Sequence, residues 1–321
     1  MNLLTSTVVA GLLVGAAINS ALAQESEFPT SPVTLVVPFS AGGMTDLSAG
    51  KLPDGLAQLW HESVIVENKP GAGSMTGTVE VVNTEPDGHR LLYSASALSI
   101  HRAIASSLPF DPLDDLLPIN LTGQGATIVA VGPNVRARTI DDLIAESRGR
   151  PMFYATSGSG SFNHLAGEAL NLSLGTEMQA VHYKGGADAV NDVVGGRADI
   201  YLGGMPAVQG FVAGGQLRIL ATMTRERAPT LPDVPTLSEL GYDNAEVYSR
   251  TGVFAPAGTP ASIVDRINAD IGKVVTEPGY REFLAANEMS ATPVDPEAFK
   301  AFVERDMELS QTIARKRAIS E

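Results

Sequence analysis

Ser161 and His164 stand three residues apart at the start of an apolar-periodic stretch, SGSGSFNHLAG. A hydroxyl and an imidazole at that spacing invite a hydrolase reading. A catalytic serine also needs its base within hydrogen-bond reach, a third group orienting that base, and an oxyanion hole. No G-x-S-x-G elbow surrounds Ser159 or Ser161. The better chemistry for Ser159, Gly160 and Ser161 is to offer hydroxyl and backbone donors to an anion where a helix begins. Simple helix capping is the alternative.

A second stretch, TLVVPFSAGGMTD from Thr34 to Asp46, poses the same question. Apolar β-formers stop at Pro38, and Gly42 and Gly43 then release the chain into a helix start. Glycines there suit a sharp turn or the close approach of another molecule. Asp46 falls in the first turn of that helix, where a carboxylate favours the dipole, so capping is its expected part rather than ligand contact.

Other chemistries are poorly supported. Gly71 to Gly77 reads G-x-G-x-x-x-G, not the dinucleotide fingerprint, and is expected to be a structural turn. No phosphate-binding G-x-x-x-x-G-K-[ST] loop occurs. The five histidines (61, 89, 101, 164, 182) lack metal-ligand spacing, and there is no cysteine. No cofactor and no metal are expected.

Alternating elements must position these loops. Strands are expected at 33–38, 63–67, 91–94, 152–156, 178–183, 200–202 and 217–222, with strand-like runs over 118–131 around Gly123-Gln124-Gly125. Helices are expected at 45–60, with Pro53 kinking it, then up to 82, and at 139–147, 163–174, 187–194, 260–276, 280–287 and 296–317. Thr259-Pro260 and Asp295-Pro296 read as N-caps followed by proline at the first helical position. Such alternation specifies an α/β fold with mainly parallel sheets. The two glycine loops recur as one arrangement, strand, loop, helix start. In α/β sheets such loops lie beyond the carboxyl ends of the strands, where ligands bind.

The chain has 321 residues, 44% hydrophobic and 18% charged, with net charge −14. The length favours two lobes over one core. The acidity argues against nucleic acid and anionic membrane surfaces, although local dipoles still allow an anionic ligand. Val8 to Ile18 is an apolar run followed by Ala21-Leu22-Ala23. It is too short to span a bilayer and reads as a secretory signal peptide over residues 1–23, despite having no Lys or Arg before it. The mature protein would be exported, would start near Gln24 and would not insert in the membrane.

In order along the chain stand PVTLVVPFSAGGMTD, VIVENKPGAGSMTGTVEVV, PDGHRLLYS, LPFDPLDDLLPI, SGSGSFNHLAGE, VHYKGGADAVNDVVGGRADI, LPDVPTLSELGY and GVFAPAGTP. Together they resemble the periplasmic solute receptors of tripartite tricarboxylate transporters, the Bug receptor family, over nearly all of the mature chain. The resemblance implies a two-lobed type II periplasmic-binding-protein fold closing on a small carboxylate, and a monomer that hands its ligand to membrane transporter subunits. It implies lobe 1 at 30–124 and 251–321, lobe 2 at 125–250, and crossings at 121–127 and 247–252. It places the carboxylate on the loop Phe39, Ser40, Ala41, Gly42, Gly43, Thr45, and on Ser157, Ser159, Gly160, Ser161 and His164, with Met205-Pro206 a further cleft loop. A receptor feeding a sensor kinase is the alternative function, and a hydrolase using Ser161 and His164 a more remote one.

The chain departs from the family pattern in three places. Gly203 stands where many members have an aspartate, which disfavours an amino-acid ligand. Arg250 replaces the usual tryptophan, and its guanidinium could pair bidentately with a distal carboxylate. Pro53 interrupts the first helix. The expected ligand is a small dicarboxylate or an aromatic acid.

Overall fold

The computed structural model describes residues 28–104, 108–159, 161–183, 185–242, 246–291 and 293–317. The signal-peptide reading falls on residues outside these.

The chain opens with β1 (Val33–Val37), α1 (Met44–Ala49), α2 (Pro53–Trp60), β2 (Val64–Asn68), α3 (Met75–Val82), β3 (Arg90–Ala95) and α4 (Ser96–Ile104). The sixteen-residue β4 (Leu116–Val131) follows. Next come α5 (Ile140–Gly149), β5 (Phe153–Thr156), α6 (Phe162–Leu174), β6 (Gln179–His182), α7 (Gly186–Val194), β7 (Ile200–Gly204), α8 (Gln209–Ala213) and β8 (Arg218–Thr222). The chain closes through β9 (Tyr248–Pro256), α9 (Ala261–Thr276), α10 (Pro278–Ala286), β10 (Met289–Ser290) and α11 (Pro296–Arg317).

The strands run β2-β1-β3-β9-β4-β7-β5-β6, with β8 and β10 also on β4. Pairing is parallel in both flanks and antiparallel around β4 and β9. The mainly parallel pattern inferred from alternation thus holds for the flanks, and the centre is antiparallel. β4 serves both ends. Leu116–Ala126 pairs with β9 and Thr127–Val131 with β7 and β8. At about 3.3 Å per residue the strand is ~50 Å long. Its register shifts against β9, around Ile119 and Thr122, and against β8, between Val129 and Ala130, add local twist on either side of the change of partners.

Strand periodicity sorts the core into two faces at each end. Val33, Leu35, Val37, Leu91 and Tyr93 pack into one cluster, while Val36, Leu92 and Phe254 enter another. In the second part Val129, Val131 and Tyr154 face one cluster and Ile128, Ala130 and Ala155 the other. Helices therefore cover both faces, as buried parallel strands require. α11 joins the two parts. Phe299, Val303 and Met307 pack against the first, and Ile313 and Ala314 against the second.

Two local readings are corrected. The helix expected over 45–60 is two helices, because Gly50 caps the first and Pro53 begins the second. Thr259 does not cap α9: its hydroxyl donates to the Pro256 carbonyl, and Pro260 itself is the extended N-cap. Asp295 does serve as expected, its Oδ1 accepting the Ala298 N–H at 2.7 Å.

Candidate functional site

The carboxyl ends of β1, β2, β3 and β5 converge on a cleft of about 610 Å³. One wall is the β1–α1 loop, the turn after β2 and the start of α4. The other is the loop from β5 into α6, and Ser249–Thr251 of β9 with Met289 complete the lining.

The first wall is held by side chains. Asn68, at the end of β2, donates from Nδ2 to the Phe39 carbonyl at 3.1 Å and to Asp46 Oδ1 at 2.8 Å. Asp46 Oδ2 accepts the Gly42 N–H at 2.8 Å. Asp46 thus organises the loop, as its place in the first turn suggested, and does not line the cleft. Gly42 sits at φ +85°, a left-handed conformation where any side chain is strained. Gly43 caps α1 with no side-chain hydrogen bond.

The second wall is held from within its own helix. Asn163, in the first turn of α6, accepts the Ser157 hydroxyl at 3.0 Å and donates to the Leu202 carbonyl on β7. Ser161 is the N-cap, its Oγ accepting the His164 N–H at 3.4 Å. The His164 imidazole stacks on Tyr154 and meets His182 edge-on, with centroids 4.8 Å apart. Burial and the neighbouring His182 push it below its ordinary value of 6.5. The serine and imidazole therefore serve a cap and an aromatic stack.

Of the expected residues, Phe39, Ser40, Thr45, Ser157, Ser159, Ser161 and Arg250 line the cleft. Ala41, Gly42, Gly43 and His164 are not part of its lining, the first three being exposed on the loop, and Gly160 lies outside the described residues. Met205 is buried in a 3-10 turn, and neither it nor Pro206 lines the cleft. A Cβ at Gly203 would come 2.4 Å from the Tyr201 hydroxyl and 2.9 Å from Asn163 Nδ2. Tyr201, whose phenol burial pushes up to about 12, fills that space instead.

Arg250 is almost fully engaged. Its Nε donates to Gln124 Oε1 at 2.9 Å, and Nη1 to both Asp306 oxygens on α11, 2.6 Å from Oδ2. Its guanidinium also lies 4.5 Å from the Tyr248 ring centre. Nη2 alone has no partner among the described residues. Burial pushes the Asp306 carboxyl up even with the guanidinium beside it.

Sequence reading missed several lining residues: Pro70, Gly71 and Ser74 after β2, Ser96 and His101 on α4, and Ser249 and Met289. The turn at Gly71, read as structural, is a third strand–loop–helix device. Its signal was present in the spacing. Ser74, at φ +95°, sets its Oγ 3.3 Å from His101 Nε2.

The chemistry of the lining is consistent. Among the described residues it has nine hydroxyl side chains, and its only titratable groups are His101 and Arg250; no Asp or Glu is present. The hydroxyls of Ser40, Thr45, Ser159 and Ser249 have no described partner, and Ser161, an acceptor at its cap, keeps its hydrogen to give. The thirteen-residue α6 points its N-terminus here, with no acidic residue in its first turn. Such a surface offers hydrogen-bond donors and a positive helix end, with no lining carboxylate among the described residues to oppose them. A larger groove of about 720 Å³ adjoins it beyond Met289, lined by three arginines and two glutamates and by none of the expected residues.

Comparison with known proteins decides the family. A model described as the tripartite tricarboxylate transporter family receptor matches residues 49–319. The chain belongs to that family. This receptor is 31% identical to protein BugT of Bordetella pertussis over 98% of each chain. Among solved structures it resembles an R. palustris protein solved with adipate, at TM-score 0.79 and 28% identity over 91% of this chain and 99% of that one. It also resembles MatC of Rhodopseudomonas palustris, solved with bound malate, at TM-score 0.75 and 25% identity over 89% and 99%. The receptor has the α/β fold of periplasmic solute-binding proteins. Among the described residues no helix is long and apolar enough to cross a membrane.

Proposed function

We propose that the receptor captures a small dicarboxylate or aromatic acid outside the cytoplasmic membrane and delivers it to membrane subunits of a tripartite tricarboxylate-type transporter, without catalysis. One observation carries this reading. In a chain of net charge −14, the cleft lining has no carboxylate, and it gathers hydroxyl donors, a helix N-terminus and two basic side chains. Adipate and malate in the two related structures support the ligand class. The absence of any lining Asp or Glu leaves an ammonium group without a counter-charge, which disfavours amino acids.

The magnitudes suffice. A few charge-assisted hydrogen bonds of roughly 1.5–3 kcal/mol each reach the ~8 kcal/mol of a micromolar complex after the ordering cost. In this reading residues 30–124 with 251–321, and 125–250, are lobes hinged on β4 and the start of β9, and ligand shifts the population toward closure. Residues 1–23 direct export and are removed. Arg250 meets a distal acceptor through Nη2 alone, since Nε and Nη1 are committed; this replaces a bidentate grip with a single hydrogen bond.

A thermal-shift screen of aliphatic dicarboxylates, tricarboxylates, aromatic acids, amino acids and sugars tests the reading, because a ligand specific for the folded state raises its stability. Dicarboxylates or aromatic acids should raise Tm, and Gly42→Val, strained at φ +85°, should reduce the shift. Stabilisation by sugars or amino acids alone, untouched by Gly42→Val, would sink it.

A further inference from the structure

We infer that the Met289 side chain sets the length of ligand the cleft accepts, by closing it off from a second cavity that would otherwise continue it. This rests on the carboxylate reading above. Among the described residues the cleft of about 610 Å³ and the adjoining groove of about 720 Å³ share one lining residue, Met289. The Arg250 contacts with Gln124 and Tyr248 also lie between the two spaces, but those side chains are tied to one another and each lines one space alone.

The position of that side chain is set by strand pairing and by two glycines. Met289 pairs antiparallel with Gly125 on β4, and Ser290 with Gln124, which fixes the backbone at the edge of the crossing strand. The side chain then lies along β4 over two positions without side chains. A Cβ on Gly123 would meet Met289 Cε at 3.1 Å, and one on Gly125 would meet Cγ at 3.1 Å. The two glycines of Gly123-Gln124-Gly125 make the trough in which the thioether rests. Met289 is 8% exposed and packs in the first-part core, so it is a held partition.

The space beyond suits an extended chain. Around Met289 the groove is lined by Leu284, Ala285 and Ala126 together with Gln124, Glu288 and Ser290. A methylene chain anchored by its carboxylate among the cleft hydroxyls would run toward Met289 and stop against its sulfur. Shortening that one side chain joins the two spaces. Methionine is unbranched and polarisable and so fills an irregular gap; here the gap it fills is the continuation of the cleft.

The test is a calorimetric and thermal-shift series of α,ω-dicarboxylates from succinate to sebacate. It is run on the wild-type protein, Met289→Ala and the milder Met289→Val, each first shown to melt cooperatively. Shortening Met289 should move the preferred ligand about two methylenes longer, and tighten binding of the longest members about tenfold, the worth of two buried methylenes. If Met289→Ala fails to fold, Met289→Val decides. A folded variant with the wild-type length preference overturns the inference while leaving the carboxylate reading intact. If no dicarboxylate binds even the wild-type protein, the carboxylate reading falls and takes this inference with it.

Discussion

The two walls of the cleft use one strand–loop–helix device and are clamped from opposite ends. In the first, Asn68 reaches in from the neighbouring strand to hold the Phe39 carbonyl and Asp46. In the second, Asn163 reaches out from the helix itself, to Ser157 and to the Leu202 carbonyl. The first wall also uses up a donor, because Asp46 takes the Gly42 N–H. The second also spends donors internally, the Ser157 hydroxyl on Asn163 and the His164 N–H on Ser161, but it has no carboxylate in its first turn and a helix twice as long behind it, thirteen residues against six. Two loops that look alike in sequence are therefore unequal electrostatically. The mid-chain loop keeps more of its dipole for a ligand, and the first loop contributes its shape and the hydroxyls of Ser40 and Thr45.

That inequality can be broken by substitution. The largest effect is expected from Asn163→Ala, which frees the Ser157 loop and leaves the buried Leu202 carbonyl short of a donor. A cost of about 1–3 kcal/mol would weaken dicarboxylate binding roughly tenfold to hundredfold by titration calorimetry. Asn68→Ala, the matching change on the other wall, should cost several-fold less; equal losses would show that the walls contribute alike.

Gly42→Val comes next. A β-branched residue held at φ +85° costs about 1–2 kcal/mol, so binding should weaken about tenfold with a lower Tm. Here it is backbone shape that is perturbed, with no charge removed. Ser161→Ala should lower stability by about 1 kcal/mol as a lost N-cap, and affinity by a few-fold. Ser161→Thr should restore the cap, as a melting curve would record.

The smallest effect concerns pH. Burial and the neighbouring His182 favour the neutral form of His164 in the fold, with Glu168 on the same helix opposing them and Tyr154 stacked on the ring. Its folded pKa is depressed, so the unfolded chain binds the extra proton. The stability it contributes is fully present above about pH 6.5 and is lost as pH falls through the folded value. Tm should fall on going from about pH 7.5 to about pH 5.5, and His164→Gln should flatten that slope. An unchanged slope would place the titration on another group.

Much of this was legible before any coordinates. The paired glycine loops, the Ser161 helix start, the break at Pro53 and the Asp295 cap are local signals, written within a few residues. What escaped was long-range. Arg250 finds its partner 56 residues away on α11, and nothing near Arg250 in sequence announces a carboxylate there. Ser96 and His101 enter the cleft because α4 follows β3 without an intervening loop, where no glycine or proline marks the turn. β10 has two residues, too few for any periodic pattern, yet it places Met289. Thr259 misled because proline after threonine reads as a cap, and in the fold the proline itself occupies the extended position.

α11 gives the molecule a property that concerns inheritance more than binding. Its first turns belong to one core and Ile313 and Ala314 to the other, while Ile100 of α4 makes the same crossing and β4 is a single strand shared by both sheets. The two parts are consequently not exchangeable modules. A chimera that takes residues 125–250 from a relative inherits a core whose lid comes from the other parent, and it would hold together only if residues 100, 313 and 314 travelled with the insert.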